Sequence, residues 1–299
     1  MLKIGDLTPT ATADGHWTDG NVAGGVAPTR MMAGWFNAVQ DEIINVLTAA
    51  GLTTDAQNNA QLLVALNTLV GPGRLLNVQV LTGSGTYVPS SGTKQILVEA
   101  VGAGGGGGGA NAGGRSGDNY IYSVAGGGGS GAYARFVLKN TFSNLAYSCG
   151  KGGLGGNKPG AANNQGSPGG QTTLGSILTL PGGYGGSAGT TTNTFNWGSV
   201  AGGGFGADAP TLASSIKSIL AMGGSVGAAG QMNNANGGAA GGGANTVLGN
   251  GGFGATNGPG GEARGYGSGG GGALTIQSNT NSQPGGNGGD GFIIVWEYA

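Results

Sequence analysis

From Met32 to Leu47 the apolar positions Met32, Trp35, Phe36, Val39, Ile43, Val46 and Leu47 return every three or four residues. That period predicts an amphipathic helix starting near Pro28 and Thr29, with Gly51 as its left-handed stop. A second stripe, Leu62, Leu63, Leu66, Leu69 and Val70, predicts a shorter helix. It runs from an N-cap at Thr54 or Asp55 to Val70 and is closed by Gly71-Pro72-Gly73. Two helices of this size cannot bury a stable core alone. Both stripes are wide and poor in charge, so the helices are expected to pack between chains. Residues 1–27, with Thr, Asp and Gly interspersed, read as an extended arm.

From Arg74 onward the period changes to two. Leu76, Val78 and Val80 alternate with Asn77 and Gln79, and further strands are predicted at 86–89, 95–101, 131–138, 145–149, 171–174, 177–180 and 291–298. Glycine runs separate them. The chain holds 74 glycines in 299 residues, of which 65 fall from Leu75 onward, and Gly104–Gly109 is unbroken. The connections 182–206 and 222–272 are too long for structureless loops inside a compact domain. They are either functional surface loops or ordered glycine backbone. The second route is a three-residue helix of the polyglycine II type, which has no internal hydrogen bonds and pairs sideways with its neighbours. Tyr184, Phe205, Phe253 and Tyr266 would then face outward from it or cover it.

Composition narrows the classes. Only 8% of residues are charged and the glycine runs alternate with patterned strands, which argues against a disordered chain. No Gly-X-Y register holds and there are 10 prolines, so collagen is excluded. The net charge is −1 with basic residues scattered singly, which gives no nucleic-acid footprint and no basic membrane face. No apolar run approaches 18 residues and the first ten residues lack a signal-peptide core. Cys149 is the single cysteine, which fits synthesis in a reducing cytoplasm.

Several motifs look like chemistry. Gly102–Gly107 satisfies GxGxxG after a strand, but the following residues cannot hold the helix that a dinucleotide site needs. GGSAG at 185–189 and GGSVG at 223–227 match GxSxG, yet the one histidine, His16, lies in the N-terminal arm. The carboxylates Glu99, Asp118, Asp208, Glu262, Asp290 and Glu297 are dispersed and form no evident hydrolase pair. Neither a cofactor nor a metal enters the reading. Loop recognition fits better, because it favours aromatic faces beside amides and hydroxyls. Residues 111–122 offer Arg115, Asp118, Asn119, Tyr120 and Tyr122, and residues 190–197 offer Asn193, Phe195, Asn196 and Trp197. Tyr266 joins these candidates, and residues 231–236 form a weaker third segment. The plainer reading of Tyr120, Tyr122, Phe195 and Trp197 is aromatic core beneath glycine loops.

Residues 34–66 (GWFNAVQDEIINVLTAAGLTTDAQNNAQLLVAL) resemble the helical segment of bacteriophage tail-fibre proteins. The later segments GTYVPSSGTKQILVEAVGAGGGGGG (85–109), GGSGAYARF (128–136), YSCGKGGLGG (147–156), GGQTTLGSILTLPGGYGG (169–186) and GGNGGDGFIIVWEYA (285–299) resemble the glycine-rich domain that ends many such fibres and adhesins. The resemblance implies a virion protein that binds a bacterial cell surface, typically as a homotrimer. Combined with the pattern above, the expected fold is mostly β with an N-terminal helical segment. Residues 1–27 would attach to other tail or baseplate proteins and 28–73 would be a two-helix oligomerisation region. Residues 74–299 would be an antiparallel β-sandwich head whose glycine-rich loops meet a host glycan or surface protein. The reading is a non-enzymatic adhesin with no nucleic-acid partner and no membrane insertion, and a purely structural tail-tip protein or a depolymerase are the alternatives.

Overall fold

A computed structural model describes residues 2–70, 73–116, 119–139, 143–157, 164–191, 200–214, 216–234 and 237–299. The chain divides into two compact units, Met1–Arg74 with Ala299, and Leu75–Tyr298.

The first unit contains two helices, α1 (Ala33–Ala49) and α2 (Gln61–Val70). Both start later than the hydrophobic period suggests. Thr29 and Arg30 are held instead by Thr10 and Thr18 in hydrogen bonds of 2.8–3.1 Å. Before α2, Asp55 and Asn58 accept from the backbone N–H of Gln57 and Ala60, and Gln61 returns to Asp55, so local side-chain turns replace the first helical turns. Gly51, with φ +74°, ends α1. The N-terminal segment is not an extended arm. It folds through turns, buries Ile4, and sets Trp17 edge-on to Trp35 at 5.4 Å.

The second unit is built on a sandwich of ten strands in two antiparallel sheets. These are β1 (Leu75–Leu81), β2 (Ser84–Tyr87), β3 (Gln95–Val101), β4 (Tyr133–Lys139), β5 (Leu145–Ser148), β6 (Thr172–Leu174), β7 (Leu178–Leu180), β8 (Thr211–Leu212), β9 (Lys217–Met222) and β10 (Phe292–Tyr298). One sheet runs β1-β10-β3-β4-β9 and the other β8-β7-β6-β5-β2. The period of two places Ile96, Val98, Phe136, Ile293 and Val295 of the first sheet in one core with Tyr87, Leu174, Leu178 and Leu180 of the second. The predicted strands all form, shifted by a residue or two. β8 and β9 did not stand out, because β9 is exposed along its whole length and β8 is two residues long.

Glu297 is fully buried at the edge of this core. Its carboxylate accepts from the Tyr87 hydroxyl at 2.7 Å, the Gln79 side-chain amide at 2.9 Å and the Ser90 N–H at 3.3 Å. Burial alone would raise its pKa, but these donors outweigh it and hold the carboxyl below its ordinary value. A depressed carboxylate stabilises the fold above the unfolded-chain value of 4.5, and that contribution is lost as pH falls through the lower native value. Melting temperature from pH 6 to pH 3 should therefore fall more steeply for the native protein than for Glu297→Gln. Parallel slopes would show that Glu297 carries no such linkage.

The glycine runs are ordered. Gly104, Gly107 and Ala110 donate to the carbonyls of Gly289, Gly286 and Gln283; Gly105 and Gly108 donate to Gly129 and Gly126; Gly106 and Gly109 donate to Ser167 and Asn164, all at 2.8–2.9 Å. Their carbonyls accept with the same three-residue period from residues 153 and 156, 183–189, and 270 and 273. Segment 102–110 thus has six neighbours, three antiparallel and three parallel. Segments 125–132 and 267–273 are likewise each enclosed by six neighbours. None of Gly104–Gly109 has a positive φ. A three-residue turn, lateral bonding and hexagonal surroundings define a polyglycine II lattice.

The lattice grows directly from the sandwich. β3, β5, β7 and β9 run out into 102–110, 150–156, 181–189 and 224–228, while 125–132, 164–170, 202–207 and 283–291 run back into β4, β6, β8 and β10. Segments 240–244, 251–255, 258–263 and 267–273 complete it. A Cβ on any glycine from 104 to 109 would strike a neighbouring carbonyl, so close packing requires glycine there. At the rim, side chains close the unpaired donors. Asn287 and Asp290, three residues apart, accept from the N–H of Gly155 and Gly152 at 2.8 Å, and Lys151 pairs with Asp290 at 2.7 Å. Tyr184, Phe205 and Phe253 point outward, with Phe205 74% exposed.

Candidate functional site

Because lattice segments alternate in direction, the chain reverses repeatedly at the end of the lattice remote from the sandwich. It does so through 111–124, 229–239, 256–258 and 274–283. Beneath these reversals lies a second, small core of Tyr122, Val124, Met232, Ala240 and Leu274. Ser123–Val124 pairs with Leu274–Thr275, the Asn111 N–H donates to Ser123 Oγ at 3.1 Å, and Thr275 Oγ1 donates to the Asn111 carbonyl at 2.6 Å. The reversals are therefore anchored on a bonded platform, the arrangement that lets loop residues carry recognition.

A short hairpin, Gly114–Ser116 paired with Asn119–Ile121, rises from this platform. Arg115 lies directly across from Tyr120, and its guanidinium sits 5.6 Å from the ring centroid, within cation–π range. Tyr120 is 39% exposed. The Gly113 N–H donates to the Asn279 carbonyl at 2.8 Å, which sets a strip of amides beside the hairpin. In that strip Asn279 Nδ2 donates to Asn257 Oδ1 and Gln283 Nε2 donates to Asn279 Oδ1, each at 3.4 Å.

The structure thus brings Arg115 and Tyr120 together at this end. It buries Tyr122 at 1% exposure inside the small core, where the ring supports the platform and meets no ligand. Tyr266 is set apart. It lies beside the sandwich, stacked on Phe292 with centroids 4.3 Å apart, because segment 258–263 carries the chain back to that end. Asn119 contributes its backbone to the hairpin, and its side chain is outside the described residues. Asp118, Asn193, Phe195, Asn196 and Trp197 also lie outside them. In the weaker third segment Met232 is buried, while Gln231 and Asn233 are exposed. Asn257, Asn279 and Gln283 did not stand out in the sequence. The one available signal for Asn279 and Gln283 is the amide- and hydroxyl-rich composition of 274–283 between two glycine runs, and Asn257 carries none.

The sequence motifs for other chemistries are absorbed by the fold. Gly102–Gly107 is enclosed lattice with no room for a phosphate. Glu99 accepts from the Tyr133 hydroxyl at 2.8 Å, and Glu262 from the Asn287 N–H at 2.9 Å. With Asp290 and Glu297 bonded as above, these carboxylates serve the framework. Among the described residues no group of three or more His, Cys, Asp or Glu could hold a metal ion.

A family model described as a glycine-rich domain matches residues 79–298, the span of the sandwich and lattice. No curated protein matches the chain.

Proposed function

The chain belongs to the glycine-rich domain family, and on that footing we propose that it is a phage tail-fibre or tail-tip adhesin. It binds a bacterial surface glycan or outer-membrane protein without covalent chemistry, through the lattice end remote from the sandwich. The observation that carries this reading is the lattice itself. A hydrogen-bonded glycine core holds several chain reversals side by side, and their sequences can vary without disturbing the core. The engaged carboxylates favour a binding protein over a depolymerase.

The first unit supplies assembly in this proposal, attaching to other virion proteins and forming a homotrimer. Leu62, Leu63, Val64, Leu66, Leu69 and Val70 of α2 are all exposed, and only Ala65 of that helix is buried. A helix whose wide apolar stripe stands exposed belongs inside an assembly. Sizing of the full chain should give three times 28.5 kDa. The double variant Leu63→Asp with Leu66→Asp should run as a monomer with the thermal transition of the second unit intact. A native protein at monomer mass would reject the trimer.

Added to adsorbing cells, the full chain should bind and should compete with the phage, and Tyr120→Ala should weaken both effects. Failure to bind any strain that the phage adsorbs would overturn the adhesin reading. A purely structural tail-tip role is favoured by one observation, the outward apolar side chains Leu154, Tyr184, Phe205 and Phe253 on the lattice wall. Protection of those residues by neighbouring virion proteins, together with no cell binding, is what that role would produce.

A further inference from the structure

We infer that the lattice end recognises an uncharged, hydroxyl-rich glycan, with Tyr120 as the stacking face and Asn257, Asn279 and Gln283 as hydroxyl partners. This rests on the adhesin reading and names its ligand class. The first ground is charge. The described residues of the connections at this end (111–116, 119–124, 229–234, 237–239, 256–259 and 274–283) include one charged residue, Arg115. The other charges of the second unit, Glu99, Lys151, Asp290 and Glu297 among them, lie in or beside the sandwich and along the lattice. A phosphorylated or uronic-acid ligand calls for clustered cations. Arg115, the one cation among the described residues at this end, is engaged over the Tyr120 ring.

The second ground is the juxtaposition of hairpin and amide strip, fixed by the Gly113–Asn279 backbone bond. A carboxamide presents an acceptor and two donors, which matches a hydroxyl that also gives and accepts. The bonds within the strip, from 3.3 Å at the Asn281 N–H to 3.4 Å, are long, so ligand hydroxyls can replace them at little cost. The adjacent half-exposed ring offers the apolar face that a pyranose covers with its C–H edge. A protein partner is the less favoured occupant, because orientation at such interfaces draws on charge complementarity that this end lacks. Repeating glycan units would compensate weak single contacts through avidity.

The test uses the full chain with three probes from adsorbing cells: lipid-free polysaccharide, the same polysaccharide after chemical dephosphorylation, and purified outer-membrane protein. Both polysaccharides should bind, with affinity changing less than about twofold between 50 and 500 mM NaCl, since screening acts on charges. Tyr120→Ala should weaken binding at least about tenfold and Tyr120→Phe less than about threefold, because the ring stacks in both Tyr and Phe. Asn279→Ala should weaken it while leaving the backbone bond to Gly113 in place. An unchanged melting temperature checks that each variant is folded. Loss of binding on dephosphorylation, a steep salt dependence, or binding to the protein alone would overturn the glycan assignment while cell binding upholds the adhesin. Absence of cell binding would instead remove the adhesin reading itself.

Discussion

Gly107→Ala should lower the melting temperature of the second unit by about 10 °C or more. Gly107 lies in the wholly enclosed segment 102–110, donates to Gly286 and accepts from Gly156. An added Cβ would run into the carbonyl of Gly271, and the next nearest atoms are also backbone of that segment. A flexible side chain could rotate away, but a backbone segment bonded on every side cannot. Relief would require separating lattice segments and breaking bonds to several neighbours. The cost is on the order of 4 kcal/mol, at the upper end of overpacking effects, and in a domain of this size each kcal/mol moves the midpoint by about 2–4 °C. The control is Gly242→Ala in the same lattice. There the nearest atom is the Gly252 carbonyl oxygen at 3.7 Å, an ordinary contact. That variant should match the native protein or gain up to about 1 kcal/mol by restricting the unfolded chain. Thermal unfolding of the pair isolates the packing term, since both replace one lattice glycine with the same residue. Equal midpoints for the two variants would contradict the enclosed lattice.

Truncation after Asp290 should leave the second unit without a cooperative unfolding transition. β10 is an interior strand, paired with β1 on one side and β3 on the other along its full length. It brings Ile293 and Val295 to the core and Glu297 to the donors of Tyr87, Gln79 and Ser90. Without it β1 loses its partner, and the apolar faces of the remaining strands lose their cover. The lost burial of two large aliphatic side chains alone is about 4 kcal/mol, and the unpaired backbone of two neighbouring strands adds to it. Replacing hairpin residues 114–121 by a short glycine linker is the contrasting change. It touches none of the sandwich core and should shift the midpoint by only a few degrees, while binding is lost. Calorimetry on both altered chains separates framework from recognition. A cooperative transition surviving the truncation would mean that β10 is dispensable.

Much of this protein was readable along the chain because strands and helices announce themselves by side-chain period. Leu76 to Val80, Gln95 to Val101 and Phe292 to Tyr298 alternate, and the observed strands follow them. Lattice order was only half readable. A run such as Gly104–Gly109 has no side chains to show a period, and the same composition serves mobile loops. The missing information is which six segments surround it, a property of backbone bonds between residues as distant as Gly104 and Gly289. The site divides the same way. Arg115 and Tyr120 stand in one polar segment, so the sequence names both as candidates, whereas Asn257 and Asn279 join them only because lattice segments return to one end.

The sequence by itself determined the composition of this protein's parts. It dictated two apolar helices that one chain cannot cover, alternating strands for a sandwich, and glycine runs that must be either ordered backbone or surface loops. The tertiary structure decided what the glycine does and which side chains are free to act. It buried Tyr122, stacked Tyr266 on Phe292 beside the sandwich, and left Tyr120 open. The physical reason is that glycine carries no side chain to encode its partners, so its structure exists only in the lateral hydrogen bonds that form when the whole unit is assembled.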